Sequence, residues 1–182
     1  MRLFADEHLR IVISPAGDLT VKNLRLHGTL VVLLAAGKSV ILDNEMLMEP
    51  FRANYPVLIV SGDMQVKINA TNPLSESALS LNFNPAGSPY QGAADADTTD
   101  VYPCLIKGLV HVTGAIAATS GSPLVNGVMI SGSAAATDAV DINASVVQIV
   151  YDPSIYASPP MGYTENNRMV VVPGSYKQVI LP

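Results

Sequence analysis

Short apolar runs, broken by glycine, proline and asparagine, set the pattern of this chain. Residues 9–13 (LRIVI) stop at Ser14, Pro15, Ala16 and Gly17. Residues 18–22 (DLTVK) and 24–26 (LRL) alternate polar and apolar positions. Residues 29–34 (TLVVLL) form a continuous apolar run that ends at Ala35, Ala36 and Gly37; residues 39–42 (SVIL) and 45–48 (EMLM) follow. Period-two alternation in pieces of about 4–6 residues, bounded by turn formers, predicts strands. A continuous run suits a strand covered on both faces. Gly17, Gly28 and Gly62 each precede an apolar-x-apolar step, and glycine supplies the positive φ of a tight corner. Residues 57–68 (VLIVSGDMQVKI) repeat this form.

Two stretches nearly duplicate each other: residues 105–119 (LIKGLVHVTGAIAAT) and 124–137 (LVNGVMISGSAAAT). Gly108 recurs 19 residues later at Gly127, and Gly114 recurs 18 residues later at Gly132. A near-constant period of this length, carried by strand-sized runs, is the sequence form of a stacked β-coil. The expected fold is therefore all-β: one domain over 1–182 forming a short right-handed parallel β-helix, or solenoid. A β-sandwich is the alternative. Its antiparallel hairpins call for Asn-Gly or Asp-Gly turns, and Asn126-Gly127 is the one such pair.

Residues 69–100 break the period. They are rich in Asn, Pro, Ser, Gly and Asp, and predict a long inserted loop. Within it, 78–83 (ALSLNF) predicts one strand. Residues 146–151 (VVQIVY) predict another, and a Pro-rich connection leads to runs at 169–172 and 176–181. Stacked coils need covered ends, so 152–182 is expected to form a C-terminal cap. A short helix near 44–48 or 153–157 is the alternative reading of those stretches.

Composition narrows the function. Apolar residues make up 49% and charged residues 14%, against roughly 25% charged in ordinary globular chains. A buried apolar column explains that deficit. The net charge is −5, the ten basic residues are scattered and there is no Trp. Nucleic-acid binding, which rests on clustered Lys and Arg, is not expected. No run reaches the ~18 apolar residues of a membrane-spanning helix. Cys104 is the single cysteine; it lies in an apolar run and reads as a buried, inert thiol.

Several segments resemble the β-solenoid regions of bacterial envelope proteins that carry a prepilin-like or single-span N-terminal segment. They are NYPVLIVSG at 54–62, NFNP at 82–85, DVYP at 100–103, IKGLVHVTG at 106–114, YDP at 151–153, PPMGY at 159–163 and PGSYKQV at 173–179. More distantly, the coils resemble the polymer-forming bactofilins. The resemblance implies a right-handed parallel β-helix with a non-catalytic role in the cell envelope, the pilus or secretion apparatus, or outside the cell. It implies envelope or pilus partners and supplies no catalytic residues; exposed coil edges at the ends of a solenoid separately predict self-association. The first ten residues hold no apolar signal core, so the export segment is expected to be absent from this sequence.

Little in the chain has the spacing of catalytic chemistry. Asp95, Asp97 and Asp100 form the candidate metal site: carboxylates in one loop that could converge on Ca²⁺. The glycine and distal Glu of an EF-hand loop are missing. His8, His27 and His111 are far apart and lack the helical pairing of zinc hydrolases. His111, between Val110 and Val112, should face outward. Ser61 and Ser175 lack the nucleophile-elbow glycines. Ala36, Gly37, Lys38 and Ser39 match only the tail of a phosphate loop. Because some parallel β-helices act on polysaccharides, Asp63, Asp95, Asp97, Asp138 and Asp141 are candidate carboxylates for that alternative. Few aromatic or Arg residues are present to grip a sugar. The expectation is a non-enzymatic scaffold or adhesion-like module, with glycan binding or polysaccharide chemistry as the alternative.

Overall fold

The computed structural model describes residues 10–53, 55–133, 140–143, 146–159 and 163. The chain is mostly β. In order, it forms β1 (Arg10–Ile13), β2 (Leu19–His27), β3 (Thr29–Leu33), β4 (Ser39–Glu49), β5 (Pro56–Ser61) and β6 (Asp63–Ile68). Next come β7 (Leu74–Ser75), α1 (Glu76–Leu79), β8 (Val101–Tyr102), β9 (Leu105–Val112), β10 (Ile116–Ala118) and β11 (Leu124–Ser131). The described elements end with β12 (Val140–Ile142), β13 (Gln148–Val150) and α2 (Pro153–Ala157). Among the described residues, eleven strands join in one sheet whose pairings are parallel, while β7 and β8 form a separate antiparallel pair.

Three lines of pairing make up the large sheet. The first runs β1, β3, β5, β9, β11 and stacks Ile11, Leu30, Leu58, Val110 and Met129. The second runs β2, β4, β6, β10, β12 and stacks Leu19, Val40, Met64, Ile116 and Val140. The third stacks Leu26, Met48, Ile106, Val125 and Ile149. Apolar side chains from the three lines meet in one buried cluster that includes Leu30, Leu58, Val110, Val40, Met64, Met48 and Ile106. The period-two reading holds in detail: in β6, Met64, Val66 and Ile68 are buried, and Asp63, Gln65 and Lys67 are not. A parallel sheet of this kind runs against the antiparallel hairpins of a sandwich.

Individual strands serve two lines because they bend at residues of positive φ. Asn23 (φ 50°) bends β2, Asn44 (φ 62°) bends β4, and Gly108 and Gly127 bend β9 and β11. The duplicated glycines of the sequence pair directly, Gly127 on Gly108. A Cβ at Gly127 would stand 2.1 Å from the Gly108 carbonyl oxygen. Glycine is therefore required there for both its backbone angle and its size.

Two local readings are settled. The strand read at 45–48 is part of β4, which rules out the alternative of a short helix at 44–48; Asn44 bends the strand once, and Met46 and Met48 then stack on neighbouring strands. Residues 78–83 do not form a strand. Ser75 caps α1 by accepting from Ala78 N, and Ser80 (φ 51°) ends it. The short helix read as the alternative at 153–157 is α2, capped by Asp152 with Pro153 in its first turn. Of the expected cap over 152–182, residues 160–162 and 164–182 lie outside the described residues, as do His8, Asp138 and Ser175.

Candidate functional site

The chain leaves the sheet after Ile68 and returns at Leu105, and this excursion is more than a loop. β7 and β8 pair Leu74 with Tyr102 and Ser75 with Val101. A second apolar cluster of Leu47, Leu74, Phe83 and Tyr102 seats it on the outer side of β4. Arg25 of β2 fastens it further. Its Nε donates to Phe83 O at 2.8 Å, its Nη2 to Ser88 O at 3.4 Å, and its guanidinium lies 4.9 Å from the Tyr90 ring centre. Burial lowers the Arg25 pKa from its ordinary value. The Tyr90 hydroxyl donates to Glu49 Oε2 at 2.6 Å. That bond joins burial in raising the phenol's pKa.

Polar side chains converge inside the insertion. Glu76, fully buried at the start of α1, accepts from Phe83 N through Oε1 (2.5 Å) and from Asp100 N through Oε2 (3.2 Å). One carboxylate thus holds three separate pieces of chain. Asp100 Oδ2 accepts from the Tyr102 hydroxyl at 3.0 Å and from Asn84 Nδ2 at 2.8 Å. Asn84 Nδ2 also donates to Asp95 Oδ2 at 3.2 Å, while Asn82 Nδ2 donates to Asp95 Oδ1 at 3.1 Å. One carboxylate oxygen from each of Glu76, Asp95 and Asp100 lies within 4.8 Å of the others. Burial, together with the Asp100 bond, raises the Tyr102 pKa and keeps its hydroxyl a donor.

The structure therefore brings together two of the three aspartates singled out in the sequence. Asp97 stands apart: its Oδ1 accepts from Thr99 N at 2.9 Å and from Thr99 Oγ1 at 2.7 Å. Those bonds hold its carboxyl below the usual range. Glu76 takes the third place. No local spacing points to it, because it lies 24 residues before Asp100 in the chain. Asn82 and Asn84 were equally hidden, being ordinary turn residues next to Pro85.

The remaining candidates have structural roles. Asp63 Oδ1 accepts from Ala115 N at 2.9 Å, tying one strand turn to the next. Asp141 Oδ1 accepts from Asn143 Nδ2. Within the phosphate-loop-like tail, Lys38 N donates to Ala35 O and Ser39 N to Asp18 Oδ1. His27 packs beside Phe51 and Tyr90. His111 is half-buried, and its Nδ1 hydrogen-bonds the Tyr163 hydroxyl. Cys104 is buried, its Sγ accepts from Met46 N at 3.4 Å, and burial raises its pKa. Among the described residues, no helix is long and apolar enough to cross a membrane.

Compared with family models, with curated proteins and with solved structures, the chain matches none of them.

Proposed function

We propose that the chain is a non-catalytic structural module: a short right-handed parallel β-helix acting as a scaffold or adhesion-like unit of a bacterial envelope, or outside the cell. The observation that carries the reading is the three-line register, in which Ile11, Leu30, Leu58, Val110 and Met129 stack at equivalent positions over successive strands. Parallel strands joined by crossovers are right-handed in nearly all proteins. Three such lines, joined at their corners by bends, short turns and one long insertion, are the arrangement expected of the faces of a coil. The side chains repeated along the lines are Leu, Val, Met and Ile, which stack rather than react. Envelope placement rests on the resemblance in residues 54 to 179.

The described stack ends at β12 and β13, where Val140, Ile142, Ile149 and Val150 are exposed. Strand edges of this kind template further pairing. A second copy added there end to end would continue the lines, and such a heterologous contact does not close. The test has two arms. Light scattering over a wide concentration range should show mass growing with concentration. Incubation with a panel of acidic and neutral polysaccharides should release no new reducing ends or unsaturated sugars. A strictly monomeric mass counts against assembly, and polysaccharide cleavage would replace the scaffold reading with the carbohydrate-active one.

A further inference from the structure

The outward face of the first line departs from the alternation that holds on the second. Along the second line the outward positions are Thr20, Ile41, Gln65, Ala117 and Asp141, with Lys22, Asp43 and Lys67 beside them. Along the first line they are Val12, Val31, Ile59, His111 and Ile130. Successive side chains of a strand point to opposite faces. This column therefore points away from the core side chains Ile11, Leu30, Leu58, Val110 and Met129. Apolar residues on both faces are the mark of a strand covered on both sides. The continuous apolar run at 29–34 contains β3, a strand of this line.

Part of this face is buried. Val31 is 4% exposed and Leu109, beside His111 on the same face, is 2% exposed, although neither belongs to the two apolar clusters of the fold. Towards the N-terminal end the face opens: Val12 is 50% exposed and Leu33 45%. Among the described residues, Tyr163 meets this face at its middle. The Tyr163 hydroxyl hydrogen-bonds His111 Nδ1, and the two rings lie 5.4 Å apart, centre to centre. Burial raises the Tyr163 pKa. From that anchor the chain continues with residues 164–182.

We infer that residues 169–172 (MVVV) form a strap over the outward face of the first line, against Val12, Val31 and Ile59. Reach and sequence both fit. His111 and Val12 are separated by three strand spacings, about 14 Å at ~4.8 Å each. Residues 164–168 (TENNR) are polar and span about 17 Å when extended, at ~3.3 Å per residue. The first apolar run beyond Tyr163 thus comes within reach of the part of the face that is open. Its three valines favour an extended backbone that can lie flat on a sheet. With the strap in place, the side of the first line is closed to a membrane or a partner protein. Association is then confined to the ends of the stack. The strap itself does not depend on the scaffold reading.

The test uses the full 182-residue chain with paired cysteines. Val12→Cys, at an exposed outward position, is combined in turn with Met169→Cys, Val170→Cys, Val171→Cys and Val172→Cys; the native Cys104 is buried. Thr20→Cys, exposed on the outward face of the second line in the same coil, takes the place of Val12→Cys as the control. After mild oxidation, at least one Val12→Cys pair should close an intramolecular disulfide. It reads as a monomer that has lost two hydrogens and migrates faster than its reduced form on a denaturing gel. The Thr20→Cys pairs should stay reduced. A chain carrying both Val170→Asp and Val171→Asp gives a reading that needs no added cysteine: its binding of ANS, a dye that reports exposed apolar surface, should rise above wild type. No disulfide in any Val12→Cys pair, or equal yields with Thr20→Cys, overturns the strap. Covalent dimers in place of the intramolecular bond assign the cover to a second copy and overturn it too. So does an ANS signal that the two aspartates leave unchanged.

Discussion

Gly127→Ala isolates the most exacting contact of the stack. Residue 127 has φ 154° and pairs with Gly108 on the neighbouring strand. The added Cβ would lie 2.1 Å from Gly108 O and 2.8 Å from its carbonyl carbon. Backbone atoms cannot rotate aside, so the strands must separate by about 1 Å from a normal spacing of about 4.8 Å. Holding a side chain at such a φ costs about 1–3 kcal/mol. Forcing atoms into a filled site costs about 1–3 kcal/mol more. Together these amount to about 4 kcal/mol, and at 2–4 °C per kcal/mol for a chain of this size the melting temperature should fall by roughly 10 °C. Two control substitutions separate the terms. Gly37 has φ 71° with nothing within 4 Å, so Gly37→Ala carries only the left-handed backbone cost of about 1–2 kcal/mol. Gly17 has open space and no positive φ, so Gly17→Ala should be neutral or stabilising by about 0.5 kcal/mol. Urea unfolding followed by circular dichroism ranks the three. If Gly127→Ala costs no more than Gly37→Ala, close stacking of the two glycines is not what fixes the bend.

Two further predictions follow from buried groups. Cys104, buried and with its pKa raised, should resist a thiol reagent such as DTNB at pH 8 and react fully once urea unfolds the chain; rapid modification of the native protein would contradict its placement. Burial lowers the His27 pKa from the ordinary 6.5, outweighing the opposing pull of Glu49. The unfolded chain then takes up the proton more readily than the folded one. Stability should therefore decline as pH falls from 6.5 towards the folded-state value. NMR titration should place His27 below 6.5, and His27→Gln should flatten the stability profile in that window; an imidazole titrating above 6.5 would refute the assignment.

The stacking strands were legible because burial writes itself locally. Met64, Val66 and Ile68 alternate with polar neighbours, and Gly108 and Gly127 repeat at a distance that matches their pairing. The strand read at 45–48 had a short helix as its alternative for a physical reason. Met46 and Met48 have no intrinsic strand preference, and their pairing with Leu24, Leu26 and Ile106 decides the conformation. The strand expected at 78–83 failed because Ser75 and Ser80 cap a single turn there, and one turn is too short to show a helical period. The acidic cluster was half visible. Asp95 and Asp100 are close in sequence, so their proximity could be read directly. Glu76 reaches them only because β7 pairs with β8. That long-range register leaves no trace in spacing, whereas the turn that draws Asp97 away is a local contact with Thr99, two residues on.

The corner between the second and third lines of pairing is turned by Asn23 alone in β2 and by Asn44 alone in β4. Between β6 and β9 the same corner is taken by residues 69–104, a detour of 36 residues. Strands on either side stay in register across it, as Leu58 with Val110 shows. Loop-closure entropy grows only logarithmically, about 0.6 kcal/mol for each doubling of length. A corner that one residue can turn thus accepts dozens at little extra entropic cost, provided the inserted chain packs on itself, as Phe83 and Tyr102 do here. At this position the repeating framework places almost no constraint on length. New surface chemistry can be spliced in there without disturbing the stack that carries it.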